Sequence, residues 1–449
     1  MKNFFRNISE HFYSLELSDF DRETLHQAKR CLLDYTGCAV FSAAGRLTPK
    51  IIDLIESLGG TGGRASIWGS KNKTSPALAA FANSLRTSNI EMDDYFPAGT
   101  AHPGVYVISA ALAAAEENNS GPASLLRGII FGYDVVSRLG AMAAFKAREL
   151  GLHGPGLVGG FGAAASAGLV AGLSVDQLCN VFGITGALLP LCPFISFIEG
   201  SDAKDFYGGW GVYLAMLAVE SAKRGITGPS HILDGVKSLS GIFCGKDDTD
   251  FGKPYLIDSA AFKRFSACQS VHPAVSAILE LRRQSPIMTE DIASLTISTY
   301  PYAYSLHQGA GENLNPSSAR LSLSYTAAFA LTEGHLMPQA FFMENLTNEK
   351  YLSLRKKIHV EKNEAYGDGP WGTRGAVVEI YLKNGSHLKH ELTQWERPDD
   401  EELVWKFNSL SQAGLDKKRR DDLAALVFDF ERRTVNEYLE YLRNLDTGD

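Results

Sequence analysis

Apolar positions recur at helical spacing early in the chain, with Leu25, Ala28, Leu32, Tyr35 and Ala39 forming one stripe. Helices built on small residues follow in "SPALAAFANSL", "GVYVISAALAAAEE", "FGAAASAGLVAGL" and "GGWGVYLAMLAVESAKRG". Alanine has the highest helix propensity, and side chains this short let helix backbones approach closely. After about residue 265 the texture changes. "SLTISTYPYAY" alternates with β-branched and aromatic residues, "KKIHVEKN" reads as a further strand, and "GAVVEIYLKNGSHLKHELT" reads as a hairpin with Asn384-Gly385 as its tight turn. Helical spacing resumes in "DDEELVWKF" and in a charged run from Lys417 to Leu445. The pattern predicts a mainly α protein. A large helical domain covers residues 1–264, a smaller inserted α+β domain 265–395, and C-terminal helices over 396–449 return to the helical domain.

One stretch tests whether the chain is soluble. "VFGITGALLPLCPFISFI", residues 181–198, carries no charge and approaches the length of a membrane span. Pro190 and Pro193 interrupt it, each removing a backbone donor, so it reads as a buried helix followed by a buried turn. The 449 residues exceed what one core usually holds. A net charge of −8, from 43 basic and 51 acidic side chains without a basic run, argues against nucleic acid as a partner. Six cysteines form no CxxC pair, and "MKNFFRNISEHF" lacks the apolar centre of a signal peptide; both favour a cytoplasmic setting and no membrane.

Chemistry concentrates on loops rich in glycine and proline. "EMDDYFPAGTAHPG", residues 91–104, places three carboxylates and a histidine within twelve positions. Asp93-Asp94 alone is too small a donor set for a metal, and His102 and His153 belong to no HExxH-type pair. "GPGLVG", Gly154 to Gly159, matches a dinucleotide fingerprint but follows a helical stretch instead of a strand. Its glycines read as a close-packed loop-to-helix junction whose first free amides could attract an anion. No GxSxG marks a serine nucleophile. What remains is His153 in "LGLHGPG", Lys204 in "GSDAKDFYGGWG", Lys263 and His272 in "FKRFSACQSVHPAVSAI", and Tyr325 in "ARLSLSYTAAFALTEG".

Taken together and in this order, these segments resemble the MmgE/PrpD family, which includes 2-methylcitrate dehydratase, cis-aconitate decarboxylase and iminodisuccinate epimerase. "RGITGPSHILDG" adds a further matching motif, and the resemblance runs from about residue 10 to 440. It implies a large helical domain with an α+β lid, an active site between them, a homodimer, and neither metal nor organic cofactor. His102, His153, Lys204, Lys263 and Tyr325 fall on family active-site positions, with Glu91 where many members carry Asp and Asp94 beside it. The chain departs from the family at Tyr207, which stands for a histidine in "KDFYGGW", and at Cys268, where the decarboxylase branch has a histidine. Tyr95 takes a place held by threonine in the decarboxylase. Together with His272, these three residues are expected to shape the substrate's surroundings.

Such enzymes act on small di- or tricarboxylates and transfer a proton at a carbon beside a carboxylate. The carbanion is unstable unless a cation meets the carboxylate, a task that falls to Lys204 and Lys263. Imidazole suits the proton transfer, leaving His102 and His153 as candidates, Tyr325 as the holder of a second proton, and Glu91 or Asp94 as the acid that orients His102. The leading expectation is a lyase that decarboxylates or dehydrates an aconitate- or citrate-like acid. An isomerase or epimerase using the same site is the alternative, and a catalytically silent binding protein is the least favoured.

Overall fold

The computed structural model describes residues 3–245, 251–312, 314–367, 374–393 and 397–446. It is a mainly α protein with a small mixed sheet in its second part. Helices Pro103–Asn118, Pro122–Glu149, Gly154–Val170 and Phe206–Lys223 pack on one another through their small residues. A Cβ on Gly132 would lie 2.8 Å from the Gly162 carbonyl oxygen, and one on Gly160 would lie 3.1 Å from that of Gly211. These backbones therefore touch directly. Helix Pro122–Glu149 is long and apolar enough to cross a membrane, but 89% of its apolar window is buried inside the protein.

Two main cores follow. One joins Phe4 through Phe262 to Leu403, Phe407, Leu423, Phe430 and Tyr438, so the C-terminal helices share the core of the helical body. The other spans Phe265 to Ile380 and underlies the lid. The lid sheet runs Ile358–Lys362, Ile292–Thr299, Ala376–Leu382, His387–Leu392, with the first pair parallel and the others antiparallel. Helices His272–Gln284 and Leu323–Glu333 cover its apolar face, where Leu295, Ile297, Val378 and Ile380 are buried.

Four expectations are refined. The strand in "SLTISTYPYAY" stops at Thr299, because Pro301 opens helix Pro301–Ala310 at a position that needs no backbone donor. The hairpin loop has three residues, Lys383 to Gly385, closed by Gly385 N–H to the Leu382 carbonyl at 3.0 Å and Leu382 N–H to the Ser386 carbonyl at 2.9 Å. Only Gly385 takes a left-handed φ (88°), whereas a two-residue Asn-Gly turn would require it of Asn384 as well. The stretch after helix Val175–Ala187 is only partly buried: Cys192 and Phe197 are buried, but Leu188, Leu191 and Ile195 are about half exposed or more. Finally, the helical body holds one antiparallel pair, Ala65–Ser66 with Lys73–Thr74, among its described residues.

The returning helix Asp400–Ser411 reaches the site from behind. Lys406 Nζ donates to Asp34 Oδ1 at 2.6 Å and to the Met92 carbonyl at 2.5 Å, within the acidic loop. Burial raises the Asp34 carboxyl and Lys406 opposes that rise. Lys406→Met should therefore cost about 3–5 kcal/mol, because a buried carboxylate loses its partner. Lys406→Met combined with Asp34→Asn should recover most of the loss in guanidinium unfolding.

Candidate active site

The acidic loop begins where helix Pro76–Asn89 ends. Glu91 adopts a left-handed φ of 52°, which swings the following residues around the loop. Tyr95 then pairs with Ala261 through two backbone bonds of 2.8 and 2.9 Å, and Phe96 N–H meets the Ala101 carbonyl at 3.0 Å. The chain re-enters helix at Pro103, which leaves His102 at the N-cap.

Adjacent carboxylates take different tasks. Asp94 Oδ1 accepts from Gly104 N–H at 2.8 Å, and Oδ2 accepts from the Tyr133 hydroxyl at 2.6 Å, so Asp94 fastens the loop. Burial and Asp34 push its carboxyl up to about 7 despite those two donors. Asp93 Oδ2 instead lies 2.8 Å from His102 Nδ1. Burial would raise Asp93, but Lys263 and His102 hold it at about 2. The partner of His102 is thus Asp93 and not Glu91 or Asp94. An ionised Asp93 fixes the hydrogen on Nδ1 and leaves Nε2 without one.

Both lysines serve the same acids. Lys204 Nζ donates to Glu91 Oε1, and Lys263 Nζ donates to Glu91 Oε2 at 3.0 Å and to Asp93 Oδ1 at 3.3 Å. Burial alone would raise Glu91; Lys204, Lys263 and His102 together hold it well below the usual carboxylate range. Burial would lower Lys263, and Asp93 and Glu91 outweigh it and push it up. Lys204 also sits 4.6 Å from the centre of the Phe197 ring.

His153 caps helix Gly154–Val170, its Nδ1 accepting from Gly156 N–H at 3.2 Å. Burial, followed by Lys204, depresses its imidazolium to about 3, so the ring is neutral with its hydrogen on Nε2. "GPGLVG" is the opening of this helix, not a phosphate loop after a strand. A Cβ on Gly154 would lie 1.8 Å from Thr100 Oγ1, and one on Gly156 2.8 Å from Cys192 Sγ. Glycine is what lets the His153 loop close on the acidic loop.

A cavity of about 170 Å³ gathers Glu91, Asp93, His102, His153, Lys204 and Cys268 on its walls. Lys263 reaches the same acids from outside the lining. The other expected residues lie elsewhere. Tyr325 is fully buried in the lid core, and its hydroxyl donates to the Ala340 carbonyl at 2.5 Å. His272 is buried at the start of its helix with Nε2 3.3 Å from the Ala267 carbonyl, and burial lowers it to about 3. Tyr95 is held in its backbone pairing with Ala261, outside the lining. Tyr207 stands behind His153, ring centres 5.7 Å apart, with its hydroxyl donating to the Pro193 carbonyl at 3.0 Å. Sequence reasoning missed Thr100, Arg148, Gln269, Ser270, Tyr300, Tyr302 and Arg374, which add polar groups to the walls. No spacing signal marks them as a set: Thr100 and Arg374 stand on loops, Gln269 and Ser270 on the short helix Gln269–Val271 and Tyr302 on helix Pro301–Ala310, and only the fold brings them together. The cavity's two carboxylates are committed to lysines, and no group of three or more His, Cys, Asp or Glu among the described residues is arranged to hold a metal.

The MmgE/PrpD N-terminal domain matches residues 6–252, and the MmgE/PrpD C-terminal domain matches residues 265–429. The chain belongs to the MmgE/PrpD family. Among curated relatives, the cis-aconitate decarboxylase of Aspergillus terreus (strain NIH 2624 / FGSC A1156) is 24% identical over 96% of this chain and 94% of its own. The mouse (Mus musculus) cis-aconitate decarboxylase is 22% identical over 98% of this chain and 91% of its own. Within this MmgE/PrpD chain the two acids of the "DD" pair have separable roles, one facing the cavity and one fastening the loop.

That separation has a pH signature. Asp94 goes from an unfolded value near 3.8 to about 7 in the folded protein. The folded state therefore holds the extra proton between these values, so stability falls as pH rises through that window and levels above it. Asp94→Asn removes this fall. The melting temperature of the variant, relative to the wild type, should rise as pH goes from about 5 to 8.

Proposed function

We propose that this chain is an acid–base lyase acting, without metal or organic cofactor, on a small di- or tricarboxylate of the aconitate or citrate type. The reaction is of the cis-aconitate decarboxylase or 2-methylcitrate dehydratase kind. The observation that carries this reading is the pair of histidines on one cavity, held in opposite tautomers by Asp93 and by the Gly156 amide. The relatives named cis-aconitate decarboxylase support the substrate class.

His102 Nε2 is the proton-transfer atom. In dehydration it removes the proton from the carbon beside a carboxylate, and the electron pair left there forms the double bond as hydroxide departs. In decarboxylation the bond to carbon dioxide breaks. Its electron pair shifts through the adjacent double bond, and protonated His102 returns one proton to the carbon beside the remaining carboxylate. His153, neutral with its hydrogen on Nε2, donates to the oxygen on which negative charge develops, as a neutral imidazole does elsewhere. Lys204 stabilises the same charge electrostatically.

An isomerase or epimerase remains the second reading. Cys268 lines the cavity where the decarboxylase branch carries histidine, so one proton carrier of that branch is replaced by a thiol that burial raises. A homodimer and a cytoplasmic setting are also proposed. The exposed Phe206, Trp210 and Leu217 on one helix support the first, and six free cysteines support the second.

Incubation with cis-aconitate, trans-aconitate and 2-methylcitrate in D₂O, read by proton NMR, separates the reactions. A decarboxylase releases carbon dioxide and leaves one deuterium on the shortened product. An isomerase returns an acid of unchanged carbon count, and turnover of none of the three contradicts the substrate class. His102→Gln should lower kcat on the substrate so found by roughly 10²-fold or more while largely sparing KM.

A further inference from the structure

We infer that the lid wall of the cavity, centred on Arg374, is a subsite for a second substrate carboxylate, separate from the one at the reacting carbon; this rests on the polycarboxylate reading above. Charge balance on the opposite wall motivates it. Lys204 and Lys263 are two cations directed at two acids, Glu91 and Asp93, so beside the histidines these lysines have little positive charge to spare for a second carboxylate; the other body cation on the lining, Arg148, lies at the lid end. Lys204 keeps its electrostatic role at the reacting carbon, and neither lysine is left over for a second carboxylate.

The lid wall is different. Arg374 lines the cavity, and its Nη1 donates at 3.1 Å to Gln269 Oε1, a neutral acceptor. That bond orients the Gln269 amide and leaves Nε2 as its donor side. Gln269 Nε2 is buried and has no hydrogen-bond partner among the described residues. A buried donor without an acceptor is costly, and a ligand oxygen would satisfy it. The described lid residues that line the cavity include no carboxylate. Arg148, from the body, stacks on the Tyr302 ring at 4.1 Å and ties the two walls together at this end. A planar guanidinium beside an amide N–H matches the two oxygens of a carboxylate. A substrate held here spans body and lid, which selects acids with at least two carboxylates and disfavours monocarboxylates.

Calorimetric binding of tricarballylate, an unreactive tricarboxylate, to the full chain at neutral pH tests this without relying on turnover. The wild type should bind it at millimolar concentration or below. Arg374→Gln should weaken binding by about tenfold or more, the loss of a charge-assisted contact. Gln269→Glu should weaken it comparably, because a carboxylate then occupies Arg374, while Arg374→Lys should retain part of the affinity. Unchanged melting temperatures establish that the variants are folded, and Gln269→Glu decides the question if Arg374→Gln does not fold. Binding by Arg374→Gln within twofold of the wild type, or by Gln269→Glu where it stands in, overturns the lid subsite and leaves the polycarboxylate reading standing. Failure of the wild type to bind contradicts the polycarboxylate reading itself, and the subsite with it.

Discussion

A buried group of four charges, Lys204 and Lys263 against Glu91 and Asp93, fixes the geometry on which the site depends. Its members come from separate parts of the chain: the acidic loop, the segment before helix Phe206–Lys223, and the strap that leads into the lid core at Phe265. Each charge is costly to bury alone, and together they satisfy one another. Lys263 has no solvent exposure and bridges both acids, so loop and strap hold one relative position. The left-handed backbone at Glu91 is tolerated because its carboxylate is held from two sides.

From that cluster the chemistry follows by hydrogen bonding. Asp93, kept ionised by Lys263, sets the tautomer of His102. His153 is set in the opposite sense by a free amide at its own helix N-terminus, and Lys204 helps keep it neutral. Both rings stand at N-caps, where the chain enters a helix, with His153 bonded to its own helix and His102 held by Asp93. The glycines at 154 and 156 allow the two loops to meet, and Lys406 braces the acidic loop from the far side.

Much of the architecture is legible in the chain because helical and strand periodicities are local properties. Alanine-rich stretches announce the helices of the body, and the change of period after residue 265 announces the sheet. Features that depend on single dihedrals are not legible. Asn384-Gly385 signals a hairpin, yet its loop is one residue longer because Lys383 joins the turn. Asp93 and Asp94 are indistinguishable in sequence, and their division of labour depends on how the loop turns after Glu91. Tyr325 carries a hydroxyl that suits proton transfer equally well on paper, but the fold spends it on the Ala340 carbonyl. Gln269 and Arg374 are 105 residues apart and meet only through the lid's tertiary structure.

The proposed acid–base chemistry requires two histidines that face one cavity in opposite tautomers. Nitrogen-15 NMR of the histidine-labelled protein at pH about 8 reads this directly, since protonated and bare ring nitrogens have distinct shifts and couplings. A hydrogen on Nδ1 of His102 and on Nε2 of His153 is expected, with the His102 pattern altered in Asp93→Asn and the His153 pattern unchanged. The same tautomer at both rings, or a His102 signal indifferent to Asp93→Asn, would contradict it.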